Sequence, residues 1–129
     1  MGKLNGIITN ISKDKNTGVV QLESGKEIPF EQPYGKNLEL DEKAKVEFDV
    51  ISVGKGSLAV SVILSGSTQK KGIVIDIEKD GSSGFLLVGG KEKLPFEQPY
   101  LKQLRIQKKS EVYFSYPEDV KLCLALSLV

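Results

Sequence analysis

Pro29-Phe30-Glu31-Gln32-Pro33-Tyr34 and Pro95-Phe96-Glu97-Gln98-Pro99-Tyr100 are the same six residues written twice, 66 positions apart. Moving outward from them, the offset persists. Gly6-Ile7-Ile8-Thr9-Asn10-Ile11-Ser12-Lys13-Asp14 returns as Gly72-Ile73-Val74-Ile75-Asp76-Ile77-Glu78-Lys79-Asp80, and Gly18 returns as Gly84. Val46 and Phe48 return as Val112 and Phe114; Leu58, Ala59 and Ser61 return as Leu124, Ala125 and Ser127. A register held without a gap across the chain is the signature of an internal repeat. It predicts one domain over residues 1–64, a second over 69–129, and a polar linker at 65–68 too short to let the halves wander freely.

Each half reads as five strands. β-branched residues dominate Ile7 to Ser12, and the turn formers Asp14-Lys15-Asn16-Thr17, or Asp80-Gly81-Ser82-Ser83, follow. Second strands begin at Gly18 and Gly84. Glycine turns at Ser24-Gly25 and Gly89-Gly90 return the chain into a third strand ending at Phe30 or Phe96, which Pro33 or Pro99 stops because proline cannot donate to a ladder. After a longer crossing segment comes a fourth strand with Val46, Phe48 and Val50 inward, then a fifth with Leu58, Val60 and Val62 inward. Gly54-Lys55-Gly56 between them is a hairpin turn, not a phosphate loop. Three strands, a crossing connection and two more is the plan of an OB barrel. The expected fold class is all-β, as two tandem five-stranded barrels.

Composition narrows the chemistry. With no histidine in the chain, His-based acid–base catalysis and His–Cys zinc spacing are excluded, and no serine has a base to activate it. The expectation is a protein that is no enzyme, with no cofactor and no metal. The single Cys123, inside the apolar run 122–126, reads as a small buried filler. Residues 1–66 carry eight lysines and nine carboxylates, residues 67–129 ten basic and eight acidic groups, so neither half announces a phosphate binder by charge alone. The start at Met1-Gly2 lacks the apolar core of a signal peptide and fails the acylation pattern at Gly6. No apolar run is long enough for a membrane helix. A cytoplasmic protein with no membrane partner is expected.

At this point the spacing resembles that of the cold-shock domain family. Its members open with Gly-x-Val-Lys-Trp-Phe-Asn, carry Gly-Phe-Gly-Phe-Ile with the second glycine twelve residues on, and continue to Asp-Val-Phe-Val-His. Gly6 to Gly18 and Gly72 to Gly84 are both twelve apart, and Glu27 to Glu31 and Lys93 to Glu97 fall where the last motif belongs. The resemblance implies OB barrels that bind single-stranded RNA or DNA by stacking bases on aromatics of the first three strands. It also shows what has changed. The family's exposed Trp is Asn10 and Asp76 here, and the following Phe is Ile11 and Ile77. The strand-two aromatics are Thr17 and Val19, then Ser83 and Phe85. The strand-three Phe and His are Pro29 and Glu31, then Pro95 and Glu97. Only Phe85 remains aromatic.

The candidate nucleic-acid contacts are therefore Phe85, then Tyr34 and Tyr100 as replacement platforms beside the third strand, and the cations Lys71, Lys102, Arg105 and Lys108. Each has a plainer reading: Tyr34 and Tyr100 as covers of a rigid corner, Phe85 as a core residue, and the basic run as a solvated surface. The alternative function is a protein-interaction module that kept the barrel and lost nucleic-acid binding, with a protein partner on the edges of residues 7–11, 73–77 and 85–88.

Overall fold

A computed structural model describes residues 3–129; the Met1-Gly2 start read above for a signal or an acyl group lies outside the described residues. These residues form ten β-strands and no helix, so no helix is long and apolar enough to cross a membrane. They fall into two compact units, 3–67 and 68–129.

In the first unit β1 (Leu4–Ile11), β2 (Thr17–Leu22), β3 (Glu27–Glu31), β4 (Lys45–Val53) and β5 (Gly56–Leu64) close into a barrel in the order β1-β2-β3-β5-β4. The parallel contact of Phe30 with Ala59 makes the closure. Ile8, Val20, Ile28, Phe30, Leu40, Val46, Phe48, Ala59 and Val62 fill the interior. The turn after β1 is an Asx turn, in which the Asp14 carboxylate accepts from Ser12 Oγ at 2.6 Å and from the Asn16 N–H at 3.0 Å. Those hydrogen bonds, Ser12 first, hold Asp14 below the ordinary carboxylate range.

The second unit repeats the strand order with β6 (Lys70–Ile77), β7 (Ser83–Val88), β8 (Glu92–Glu97), β9 (Glu111–Ser115) and β10 (Leu124–Leu128). Here the ladder departs from the closed barrel expected: it is a five-stranded sheet in the order β10-β9-β6-β7-β8. Its two edges meet only at an isolated Phe96–Cys123 bridge, where the Cys123 N–H donates to Pro95 O at 2.8 Å and the Glu97 N–H to Cys123 O at 3.1 Å. The cause is local. Where Gly54-Lys55 turns β4 tightly into β5, β9 stops at Ser115 before Pro117, and the N–H groups of Val120 and Lys121 fold back onto Pro117 O. Both closing strands are thereby cut from nine residues to five.

The same change breaks the gapless repeat. Glu47 pairs with Ile63 and Tyr113 with Ser127; Phe30 meets Ala59 and Phe96 meets Cys123. The last strand therefore corresponds at an offset of 64, and the matching letters Leu58-Ala59 and Leu124-Ala125 are not structural equivalents. Cys123 takes the core place of Ala59, and Leu126 that of Val62. Cys123 is fully buried, and burial pushes its thiol up to about 12.

The expected alternation of the closing strands also needs correction. Val50 is 38% exposed rather than inward. In β5 Val62 reaches the core cluster as expected and Ala59 joins it, whereas Leu58 and Val60 are buried but stand outside that cluster. A bulge reverses the alternation: the register slips between Glu47 and Asp49, and Ser61 opposite the slip has φ 54°. β10 has the same device at Ala125, φ 55°.

A bulge frees backbone groups from the ladder, and side chains take them up. The Val62 N–H donates to Gln32 Oε1 at 2.8 Å, and Lys3 Nζ donates to Ser61 O at 2.7 Å. In the second unit Gln69 Nε2 donates to Ala125 O at 3.2 Å and to Ser115 Oγ at 3.2 Å. Position 3 is thus a cation in one unit where position 69 is a neutral amide in the other. Burial lowers the Lys3 amine to about 8, against the opposing pull of Asp49 and then Glu47. Below pH 8 the ammonium is present in both folded and unfolded chains. Between pH 8 and about 10.5 the unfolded chain binds the extra proton, so this group makes stability rise with pH across that window. Lys3→Gln, copying Gln69, is expected to keep the cap and abolish that rise. Urea unfolding of both proteins from pH 7 to 11 measures it, and parallel curves would refute the assignment.

Candidate functional site

The repeated hexapeptide is a corner. Phe30 and Phe96 are its inward residues, each paired across strands with a glycine, Gly18 or Gly84. Gln32 and Gln98 are buried to 2–3% exposure. Gln32 donates to Pro33 O at 3.0 Å, and its N–H donates to Asn16 O at 2.8 Å; the Gln98 N–H donates to Ser82 O at 2.8 Å. Tyr34 and Tyr100 are both half-buried on it. The identical letters do not give identical backbones: Tyr34 sits at φ 61°, and Tyr100 does not share that left-handed conformation. The Tyr100 N–H donates to Gln98 Oε1 at 3.1 Å.

The outer face of the first three strands differs sharply between the units. In the first, Asn10, Thr17, Val19, Pro29 and Glu31 gather around an open groove of about 410 Å³, with Ser12, Gly18, Phe30 and Leu58 completing it. Short and branched side chains in a row leave this dent. Glu27 flanks it, its carboxylate accepting from Thr9 Oγ1 at 3.4 Å.

In the second unit the equivalent face carries Phe85, half-buried on β7, opposite Asp76 on β6 and Pro95 on β8. Lys93 Nζ lies 4.5 Å from the Phe85 ring centroid. One row along the sheet, Ile73 faces Leu87, and Leu87 faces Lys93. Ile73 is 44% exposed. Beyond it Lys71 pairs with Tyr113 across β6 and β9, its Nζ 5.5 Å from the tyrosine ring centroid. Position for position, Asn5, Val19, Gln21, Glu27 and Glu47 become Lys71, Phe85, Leu87, Lys93 and Tyr113. Three carboxylates border the strip: Asp76, Glu97 opposite Ser83, and Glu111 opposite Ile73.

Of the residues expected from sequence, the structure thus puts Phe85 and Lys71 on one face. Lys102, Arg105 and Lys108 are exposed on the segment between β8 and β9, where the Arg105 N–H donates to Lys102 O at 3.0 Å. They lie outside the strands that carry the Phe85 strip, as do Tyr34 and Tyr100. Sequence reasoning missed Lys93 and Tyr113. The signal for Lys93 was present, because Phe85 opposite Pro95 in a hairpin turned by Gly89-Gly90 puts position 93 beside the ring. Among the described residues no group of three or more His, Cys, Asp or Glu side chains could hold a metal ion.

Neither the models of known protein families nor the curated proteins give a match to this chain.

Proposed function

We propose that this protein is a noncatalytic binding module for single-stranded RNA or DNA, on a pair of cold-shock-like OB scaffolds, and that the outer face of the second unit does the binding. The observation that carries the reading is Lys93 held 4.5 Å over the Phe85 ring on the face where the first unit has Glu27 and Val19. A base stacked on one aromatic ring gains about 1–3 kcal/mol. An ammonium already at that ring turns to the phosphate beside the incoming base, and gives up a cation–π contact of about 0.5–1 kcal/mol to do so.

The electrostatic share is small. Two lysines on the strip predict a slope of log K on log[salt] of about −1.4, shallow for a nucleic-acid binder. Asp76, Glu97 and Glu111 reduce it further. Titration of mixed-sequence single-stranded oligonucleotides at low and moderate salt is the test. Binding is expected, and Phe85→Ala should weaken it by about 5–100-fold. An unaltered chain that binds nothing at low salt would overturn the proposal.

Exposed Ile7 and Ile73, each above two-fifths accessible, favour a second reading as a protein-interaction surface on the same strands. That reading is the one left standing by an empty titration.

A further inference from the structure

We infer that the bound strand does not end at Phe85 but continues diagonally across β7 and β6 onto β9, where Tyr113 under Lys71 forms a second stacking site. This path rests on the reading above. Its basis is a repeated device: an aromatic ring with a lysine ammonium over it stands at each end of one face, Phe85 with Lys93 and Tyr113 with Lys71. Between the two rings the register puts Ile73 and Leu87, an apolar floor with no backbone edge, with Asp76 and Glu111 at its margins. The bases have two flat partners and the phosphates two cations, which is the chemistry of a single strand.

Glu111, opposite Ile73, faces the floor from β9. It repels phosphates from that side and leaves the lysine-bearing corners to receive them. The first unit has Glu47 and Asn5 where the second has Tyr113 and Lys71, so the outer site belongs to the second unit alone.

Spacing sets the ligand's length. Two strand intervals separate β7 from β9, and the register places Tyr113 four residues along from Phe85, so the rings stand roughly 16 Å apart. At about 3.4 Å per stacking step, a dinucleotide cannot reach both rings and about six nucleotides can. That length lies within the roughly 4–16 nucleotides that one OB barrel covers.

The test uses the full chain and a ten-nucleotide mixed-sequence single strand. Tyr113→Leu removes the flat ring and keeps apolar bulk. The double change Lys71→Asn with Tyr113→Glu installs the residues that the first unit already accommodates at these register positions, and an unchanged amide spectrum outside the strip confirms its fold. Both variants are expected to bind the decanucleotide about tenfold more weakly, with Tyr113 ring resonances of the unaltered protein shifting on binding. If Phe85→Ala weakens binding while both Tyr113 variants stay within about twofold of the unaltered chain, the path ends at Phe85; the proposed function then survives and the second site does not. Failure of the unaltered chain to bind overturns both.

Discussion

Gly84→Ala is expected to cost the second unit about 3 kcal/mol or more, and Gly18→Ala to do the same to the first. Both glycines face the ring of the phenylalanine in the repeated hexapeptide. A methyl group at Gly84 would stand 2.8 Å from Phe96 Cε2 and 2.9 Å from Cζ, and at Gly18 it would stand 2.6 Å from Phe30 Cε2. The ring could move, but the methyl would also press on a backbone carbonyl, Asp76 O in one unit and Asn10 O in the other. Those carbonyls belong to the strand paired with the glycine, at the register slip of β1 with β2 and of β6 with β7. Relief therefore requires the strand pair itself to open. Trimming the ring as well, in Gly84→Ala with Phe96→Ala, should not rescue the fold. Gly56→Ala is the control, because a methyl there meets nothing within 4 Å and the position is not left-handed; its effect should be within about 0.5 kcal/mol. Guanidinium unfolding measures all four proteins. A Gly84→Ala protein with the midpoint of the Gly56→Ala control would refute this account of the packing.

The second large effect belongs to Gln32. Its side-chain oxygen accepts the Val62 N–H that the β5 bulge withholds from the ladder, and its nitrogen donates to Pro33 O. Gln32→Met keeps the volume and removes both hydrogen bonds. A buried polar group left without a partner costs about 1–3 kcal/mol, so a loss of roughly 3 kcal/mol is expected for the pair. Amide hydrogen exchange gives the local reading: the Val62 N–H should lose protection relative to its neighbours in β5. Unchanged unfolding together with a still-protected Val62 would show that the bulge does not depend on this side chain. The result also bears on the hexapeptide's meaning, since a strong loss makes its repetition a matter of corner geometry rather than of Tyr34 or Tyr100 touching a ligand.

Much of the fold was legible because its signals are local. The β-branched run of the first strands, the glycine turns at Gly25 and Gly89-Gly90, and the alternation through Val46 and Phe48 depend only on near neighbours in the chain. The closing strand was not. Leu58-Ala59 and Leu124-Ala125 match as letters, yet the position of a bulge depends on the partner strand and on the connection before it, and Pro117 changes that connection. The site divides along the same line. Phe85 could be picked out alone, whereas Lys93 and Tyr113 acquire meaning only when the register sets one lysine over each ring. The basic run at Lys102, Arg105 and Lys108 looked like a patch because its residues are close in sequence, yet it lies on the connection between β8 and β9 and not on the strands that bear the rings.

The replacement of Ala59 by Cys123 in the second core has a practical consequence. The chain's one sulfhydryl is sealed inside that core, held as the unreactive thiol and directly bonded through its backbone to the bridge joining β8 to β10. An alkylating reagent can reach it only when that seam parts or the unit unfolds. Its labelling rate therefore reports opening of the second unit, by parting of the seam or by unfolding, without any engineered probe.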